Sequence, residues 1–470
     1  MNSTDSSGLG TLSVSTSWLS LPNIPSIFYE WAAILPLAIY LANPEQTHQL
    51  IGKASLSDRI QTAPFPKLGV LAHIARLLHE GPDFMDRVNS IGGLRNEIWD
   101  ANWGSVFPCA NGSASRIIAA FALRNSETIT IPETILEEDT SESRRSSFET
   151  LTKDSGGCSG HVTTKESATL SGSGSKLGFR RYQTLHVLRF NRERNARHPS
   201  DMQTAQTVLG LVFEFTLMLA LLVAAVVSLL FGLYGTAVCL LVGILVRISC
   251  QLIVLQRTEL YLHDNEEGKI DGCMLGALHQ NASTWYLYTG DRGIIDGMLN
   301  KPMISGVLPG FGKSVPSAVF VYFIQLLSML QLAAVTYVAA QKGWDSVGLF
   351  SFILISMLLD TLWGRQTGLA RDWLQRHRIA IEARTFLFSG RVIMVGAIQA
   401  FKQNDVTSWM DGILQCNPRR DAFLTGLSGP GVKYRAMLAA LDEGERKGVE
   451  RNVALSRQAA QLMQKKFTVV

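Results

Sequence analysis

Charge is scarce in this 470-residue chain: Asp, Glu, Lys and Arg make up 17% of it, against about 25% in soluble domains. With 47% hydrophobic residues and a mean hydropathy of +0.15, that shortage points to lipid. A net charge of +4 over this length, with no basic segment interleaved with aromatics, argues against nucleic-acid binding. The six cysteines include no CxxC pair and no regular spacing, so neither a disulfide framework nor a zinc module is expected. Signatures of reaction are missing too. No GxSxG, HExxH or acidic DxxD cluster at the end of an apolar run occurs, which leaves hydrolysis and metal-assisted prenyl chemistry without residues to stand on. No cofactor is implied, and no enzyme activity is expected.

What the chain does have is long apolar runs. A helix crossing a hydrocarbon core about 30 Å thick needs about 20 mostly apolar residues. Segments 208–234, 236–256, 315–340 and 346–363 meet that test. The links 234–236 and 341–345 are so short that they pair the segments as two antiparallel hairpins. Arg247 inside the second segment costs about 2.5–3.5 kcal/mol, but eleven aliphatic neighbours between Leu240 and Leu255 return about 0.3–0.6 kcal/mol each, so the segment inserts. A fifth segment, 18–42, reads as a span in preference to a surface helix. No positive charge precedes it and no cleavage site ends it, so it is not a secretory signal. The expected fold is mainly α: a polytopic helical membrane protein with two transmembrane hairpins, an N-terminal span and cytosolic helical regions.

Lys and Arg set the orientation. Lys176, Arg180, Arg181, Arg189, Arg192, Arg194 and Arg197 precede the first hairpin, and Arg365, Arg371, Arg376, Arg378 and Arg384 follow the second, whereas the hairpin turns hold Lys342 alone. Both hairpins then open to the cytosol, with the C-terminus inside and residues 1–17 outside. Of three sequons, Asn2 is then the candidate glycosylation site, while Asn111 and Asn281 lie in the cytosol unused. The cytosolic parts are a helical region at 43–130, a segment at 131–178 that starts acidic and turns Ser/Thr/Gly-rich, a basic juxtamembrane stretch at 179–207, a loop domain at 257–314 and a helical tail at 364–470. The 131–178 segment reads as disordered, because it has too little apolar surface to offset chain entropy. In the tail, 367–388 and 432–467 read as helical. The run 392–401 also reads as helical, and the stretch Arg391 to Val395 is apolar enough to touch membrane but too short to span.

Short motifs carry little. Gly306 to Ser314 is one residue too long for a phosphate loop and leads into an apolar span, so it reads as a flexible entry. His73 and His79 are six apart and turn away from each other on a helix, where paired ligands need three or four. Cys158, His161, His263, Cys273 and His279 have no ligand spacing, and no metal is implied. Arg144-Arg145-Ser146-Ser147 matches the R-R-x-S pattern of a basophilic kinase, with Ser147 as candidate phosphorylation site, a pattern that also recurs by chance.

The polar groups within the spans remain: Glu214, Arg247, Gln325 and Asp360. Lipid makes such groups costly unless they pair or face water. Counted from the cytosolic ends, Arg247 and Gln325 share a layer, while Glu214 and Asp360 are shallower, so no direct Glu214–Arg247 pair is expected. They read as an interhelical clamp in preference to a substrate path.

At Asp271-Gly272-Cys273-Met274, at 281–293, at Gly396-Ala397-Ile398-Gln399 and at Trp409-Met410-Asp411 the C-terminal half resembles multi-pass integral membrane proteins of filamentous fungi to which no activity is attached. The resemblance implies a eukaryotic plasma-membrane or endomembrane location and carries no site residue. Together these readings lead to a non-enzymatic, membrane-anchored interaction or regulatory platform, with the lipid bilayer and cytosolic proteins as partners. The alternative is a transporter or channel subunit with a polar path between the hairpins, which with so few spans requires a homo-oligomer.

Overall fold

In the structure, a computed structural model, residues 25–42, 46–90, 96–132, 182–192, 200–263, 271–309, 317–341, 343–363, 366–402, 405–429 and 431–468 are described. Asn2, Ser147, Cys158, His161, Lys342, residues 18–24 and 133–178, and the basic residues Lys176, Arg180, Arg181, Arg194, Arg197 and Arg365 lie outside them.

Fifteen α-helices occur among the described residues. They are α1 (Ser26–Leu41), α2 (Gln46–Ser57), α3 (Leu68–Glu80), α4 (Pro82–Ser90), α5 (Gly112–Ala122), α6 (Ser200–Leu230), α7 (Tyr234–Gln251), α8 (Arg292–Leu299), α9 (Ser317–Gln341), α10 (Trp344–Trp363), α11 (Gln366–Arg376), α12 (Arg391–Lys402), α13 (Pro418–Ser428), α14 (Val432–Ala439) and α15 (Glu443–Thr468). Nine strands accompany them: β1 (Glu97–Asp100), β2 (Val106–Pro108), β3 (Glu127–Thr130), β4 (Gln183–Arg192), β5 (Ile253–Arg257), β6 (Gly272–Ala277), β7 (Thr284–Gly290), β8 (Ile304–Pro309) and β9 (Ile379–Phe388). Seven form one sheet in the order β2-β1-β6-β7-β4-β9-β3, and β5 pairs with β8.

The chain divides into two compact units, one comprising Met1–Glu127, His186–Ala282 and Tyr286–Thr385, the other Thr128–Leu185, Ser283–Trp285 and Phe386–Val470. In the first unit, four helices are long and apolar enough to cross a membrane: Val212–Leu230 within α6, the whole of α7, Ala318–Ala340 within α9 and Trp344–Thr361 within α10. The fold is therefore mainly α and of polytopic membrane type. α6 packs on α7, α7 packs on α9 and α10, and α1 lies against α9 and α10. Gly232, at φ 76°, takes the left-handed conformation that ends α6 and turns the chain into α7. Apolar side chains such as Phe215, Tyr322, Leu326 and Leu358 project outward at 58–71% exposure, as suits lipid, while α7 is the most buried of the four.

Several stretches read in sequence as helical, as a basic juxtamembrane segment or as a flexible entry contain strands. The apolar run of the second span ends as helix at Gln251 and continues as β5 from Ile253. β4 occupies the basic juxtamembrane stretch, its alternate residues buried. The region expected to be one helix at 367–388 is α11 followed by β9. The Gly306 segment forms part of β8, paired antiparallel to β5. In the 43–130 region, β1 bridges β2 on one side and β6 on the other, both antiparallel, with Trp99 opposite Val106 and Leu275. The second unit packs α12 and α13 on α15. The apolar run at 392–401 is a face of that core: Ile393 to Gln399 are buried in α12.

Candidate functional site

Between α2 and α3 the chain makes a short loop, Asp58 to Lys67, whose sequence holds Pro64 and Pro66. Neither proline has an N–H, so the loop cannot continue a helix and carries fewer donors to satisfy. It sits among the apolar helices. Phe65 is 4% exposed and packs edge-on against Tyr40 of α1 and Phe352 of α10, each with ring centroids 5.9 Å away. The carbonyl of Pro64 lies against α7 at Gly243, where a Cβ would come within 2.6 Å of it. That glycine is what lets irregular backbone touch the helix.

A peptide group buried in such surroundings without a partner costs several kcal/mol. Here side chains of three of the long helices supply the partners. Arg247 Nη1 of α7 donates to Thr62 O at 3.0 Å, Gln331 Nε2 of α9 to Pro66 O at 2.9 Å, and Phe65 N donates to Ser356 Oγ of α10 at 2.9 Å. Tyr40 of α1 donates to Ser328 O of α9 at 3.0 Å, fixing the helix that carries the ring under Phe65. Gln331 is fully buried and lies about 21 Å along α9 from Ser317, at 1.5 Å per residue.

Arg247 also pairs with Glu214 of α6, contrary to the expectation from depth. Measured from the turn at Phe231 to Leu233, Glu214 lies about 24 Å down α6 and Arg247 about 20 Å down α7, a gap that an Arg side chain spans. The expectation counted from the wrong end, because the helix stops at Gln251 and not at 256. Asp360, near the end of α10, meets Lys53 of α2 at 3.4 Å. Gln325 does not join the group; its side chain is exposed on α9. Of the four polar residues, then, Arg247 bonds the loop, Glu214 pairs with Arg247, Asp360 lines the space beside the loop and Gln325 is exposed.

No family model, curated protein or solved structure matches this chain. A second polar group in the same unit adjoins the start of the loop. The Asp58 carboxylate takes Arg376 at 2.6 Å and Arg257 on its other oxygen. Arg257 stands 4.7 Å from the Tyr261 ring centroid, and Trp373 Nε1 donates to Tyr261 Oη at 2.9 Å. His377 packs on both rings, 5.3 and 5.6 Å away. Burial first, and Arg257 second, push the His377 imidazole down to about 4. Burial pushes Tyr261 up to about 12, with Arg257 opposing. Among the described residues Asp58, Leu260, Leu262 and Arg378 are the non-glycine positions with positive φ, 54–60°. All four belong to or border this cluster, so local backbone strain is concentrated there.

Two further polar residues that sequence reasoning passed over hold the fold. Asp345, read as a turn residue, accepts from Gly235 N and Thr236 N at 2.7 Å and from Thr236 Oγ1 at 2.6 Å, so a carboxylate from the start of α10 caps the first turn of α7. Asn111 is 6% exposed; its Nδ2 donates to Met298 O and Lys301 O, and its Oδ1 accepts from Met303 N. The amide of that sequon is a structural bridge. Asn281 lies exposed in the turn before β7. Among the described residues no group of three His, Cys, Asp or Glu comes together as metal ligands.

Proposed function

We propose that this chain is a non-enzymatic platform, its bundle of apolar helices anchored in a eukaryotic plasma membrane or endomembrane and its remaining regions presented to cytosolic partners. On this reading the two hairpins α6–α7 and α9–α10 open to the cytosol, α1 is a further span, the N-terminus is outside and the C-terminus inside. The basic residues flanking the long helices support that orientation, and the resemblance of the C-terminal half to fungal multi-pass membrane proteins supports the location. One observation carries the functional reading: Arg247, Gln331 and Ser356 each spend a hydrogen bond on the backbone of the Asp58–Lys67 loop. The polar side chains between the helices thus have a structural task, satisfying irregular backbone inside the bundle, and that task accounts for them without a substrate path.

The second reading is a transporter or channel subunit, favoured by the Glu214–Arg247 pair inside the apolar helices. Purified full-length chain in phosphatidylcholine vesicles separates the two. The platform reading expects the conductance of empty vesicles, and complexes from cell membranes that migrate identically on native gels for the wild type and for Glu214→Gln combined with Arg247→Gln. Wild-type conductance that disappears in the monodisperse double variant overturns it.

A further inference from the structure

Beside the loop, where α1, α2, α3 and α10 meet it, lies an open cavity of about 170 Å³. Its wall has two characters. Ile39, Ile353 and Met357 form an apolar side, and Met357 is also 46% exposed on the outward face of α10, so the apolar wall continues onto the surface that faces lipid. Lys53, Lys67 and Asp360 form the polar side, a net charge of +1. The Lys67 ammonium has no hydrogen-bonding or acidic partner among the described residues, its carbonyl accepting from Leu71 N at 3.2 Å. Lys53 has Asp360 alone, at 3.4 Å, longer than the 2.7–2.9 Å of a strong charge-assisted bond. Lys53 is also held in place, with a side chain 14% exposed. The position is near the end of a membrane-length helix, three residues before Trp363, which is the level of lipid head groups for a helix spanning the hydrocarbon core.

Charge narrows the occupant. The cleft admits a phosphate, and two ammonium groups against one carboxylate suit a phosphate monoester, with about −1.5 to −2 charges, better than the singly charged diester of a larger head group. We propose that the cavity binds an anionic phospholipid with a small head group, a phosphate monoester such as that of phosphatidic acid. The phosphate oxygens accept from Lys53 and Lys67, and the acyl chains leave along Ile39 and Met357 into the bilayer. Asp360 opposes the lipid and holds Lys53 when the site is empty. The proposal depends on the helices lying in a bilayer and not on the platform reading.

The test is native mass spectrometry of detergent-purified full-length chain given phosphatidic acid and phosphatidylcholine in equal amounts. The wild type is expected to retain phosphatidic acid selectively. At about 1 kcal/mol per basic residue near lipid, Lys53→Gln with Lys67→Gln lowers that selectivity roughly 30-fold, and Asp360→Asn raises it roughly 5-fold, at 1.4 kcal/mol per tenfold. The gain in Asp360→Asn cannot come from misfolding. Lys433→Gln with Lys447→Gln, the same charge change at exposed positions of α14 and α15, is expected to leave it unchanged. No selectivity in the wild type, an equal loss in that control pair, or no gain in Asp360→Asn overturns the proposal. Displacement of the lipid by inorganic phosphate alone overturns it in favour of a soluble anion.

Discussion

Gly243→Ala tests the seating of the loop by the sign of its effect. In a helix interior, replacing Gly with Ala stabilises by about 0.5–1 kcal/mol, because the chain loses less freedom on folding. At Gly243 the new Cβ would stand 2.6 Å from Pro64 O, and the obstacle is backbone held by Arg247, Gln331 and Ser356. The loop cannot step aside without stretching those bonds. Overpacking of this kind costs about 1–3 kcal/mol, so the net expectation is a loss of about 0.5–2 kcal/mol. Gly368 of α11 is the control: a Cβ there meets nothing within 4 Å, and Gly368→Ala should stabilise by the full propensity gain. Thermal unfolding of both purified variants in one detergent reads the comparison, with Gly243→Ala lower by roughly 1–3 °C and Gly368→Ala level or higher. If Gly243→Ala is as stable as Gly368→Ala, the loop does not lie against α7 and the account of Arg247, Gln331 and Ser356 fails with it.

Asp345→Asn removes the charge that caps α7 and is expected to cost about 1–2 kcal/mol in the same unfolding assay; an unchanged midpoint would show that the cap contributes nothing. The imidazole of His377 titrates at about 4 in the fold against 6.5 when unfolded, so between those values the unfolded chain binds more protons. Its contribution is intact above pH 6.5 and is lost as pH falls to 4, at most about 3 kcal/mol; His377→Gln should flatten that part of the stability–pH curve, and an identical curve would refute it. Endoglycosidase treatment of Asn2→Gln, Asn111→Gln and Asn281→Gln variants should show a glycan dependent on Asn2 alone, while Asn111→Gln lowers stability by about 1–3 kcal/mol through its broken bridge. A glycan on Asn281 would invert both hairpins and end the cytosolic-platform reading.

The long helices were legible in the sequence because crossing a membrane demands length and apolarity, and both can be counted. Their ends were not. Ile253 to Leu255 are as apolar as the helix before them, and hydropathy does not distinguish a helix that continues from a strand that begins. The strands elsewhere were hidden for another reason: β1 pairs with β6, from Gly272, and no local window sees a partner that far away. For the polar site, counting depth located Arg247 and Glu214 but not their pairing, and it chose Gln325 over Gln331. Six residues apart, these two point about 120° from each other on a helix, so one faces outward and the other is fully buried. Pro64 and Pro66, between two helical stretches, were the signal of an irregular insert, and it becomes readable only when the distant donors are known.

The loop also sets an order of assembly. Its three donor–acceptor partners lie 185, 265 and 291 residues further along the chain. At a synthesis rate of about 5–20 residues per second, Ser356 emerges roughly 15–60 s after Phe65. Through that interval the Pro-Phe-Pro turn has no bundle to enter, so it is among the last pieces to dock, and it docks only on a chain translated as far as α10. A transcript cut short before Ser356 would leave Phe65 and its neighbouring peptide groups exposed at the membrane surface, marking the unfinished product for quality control.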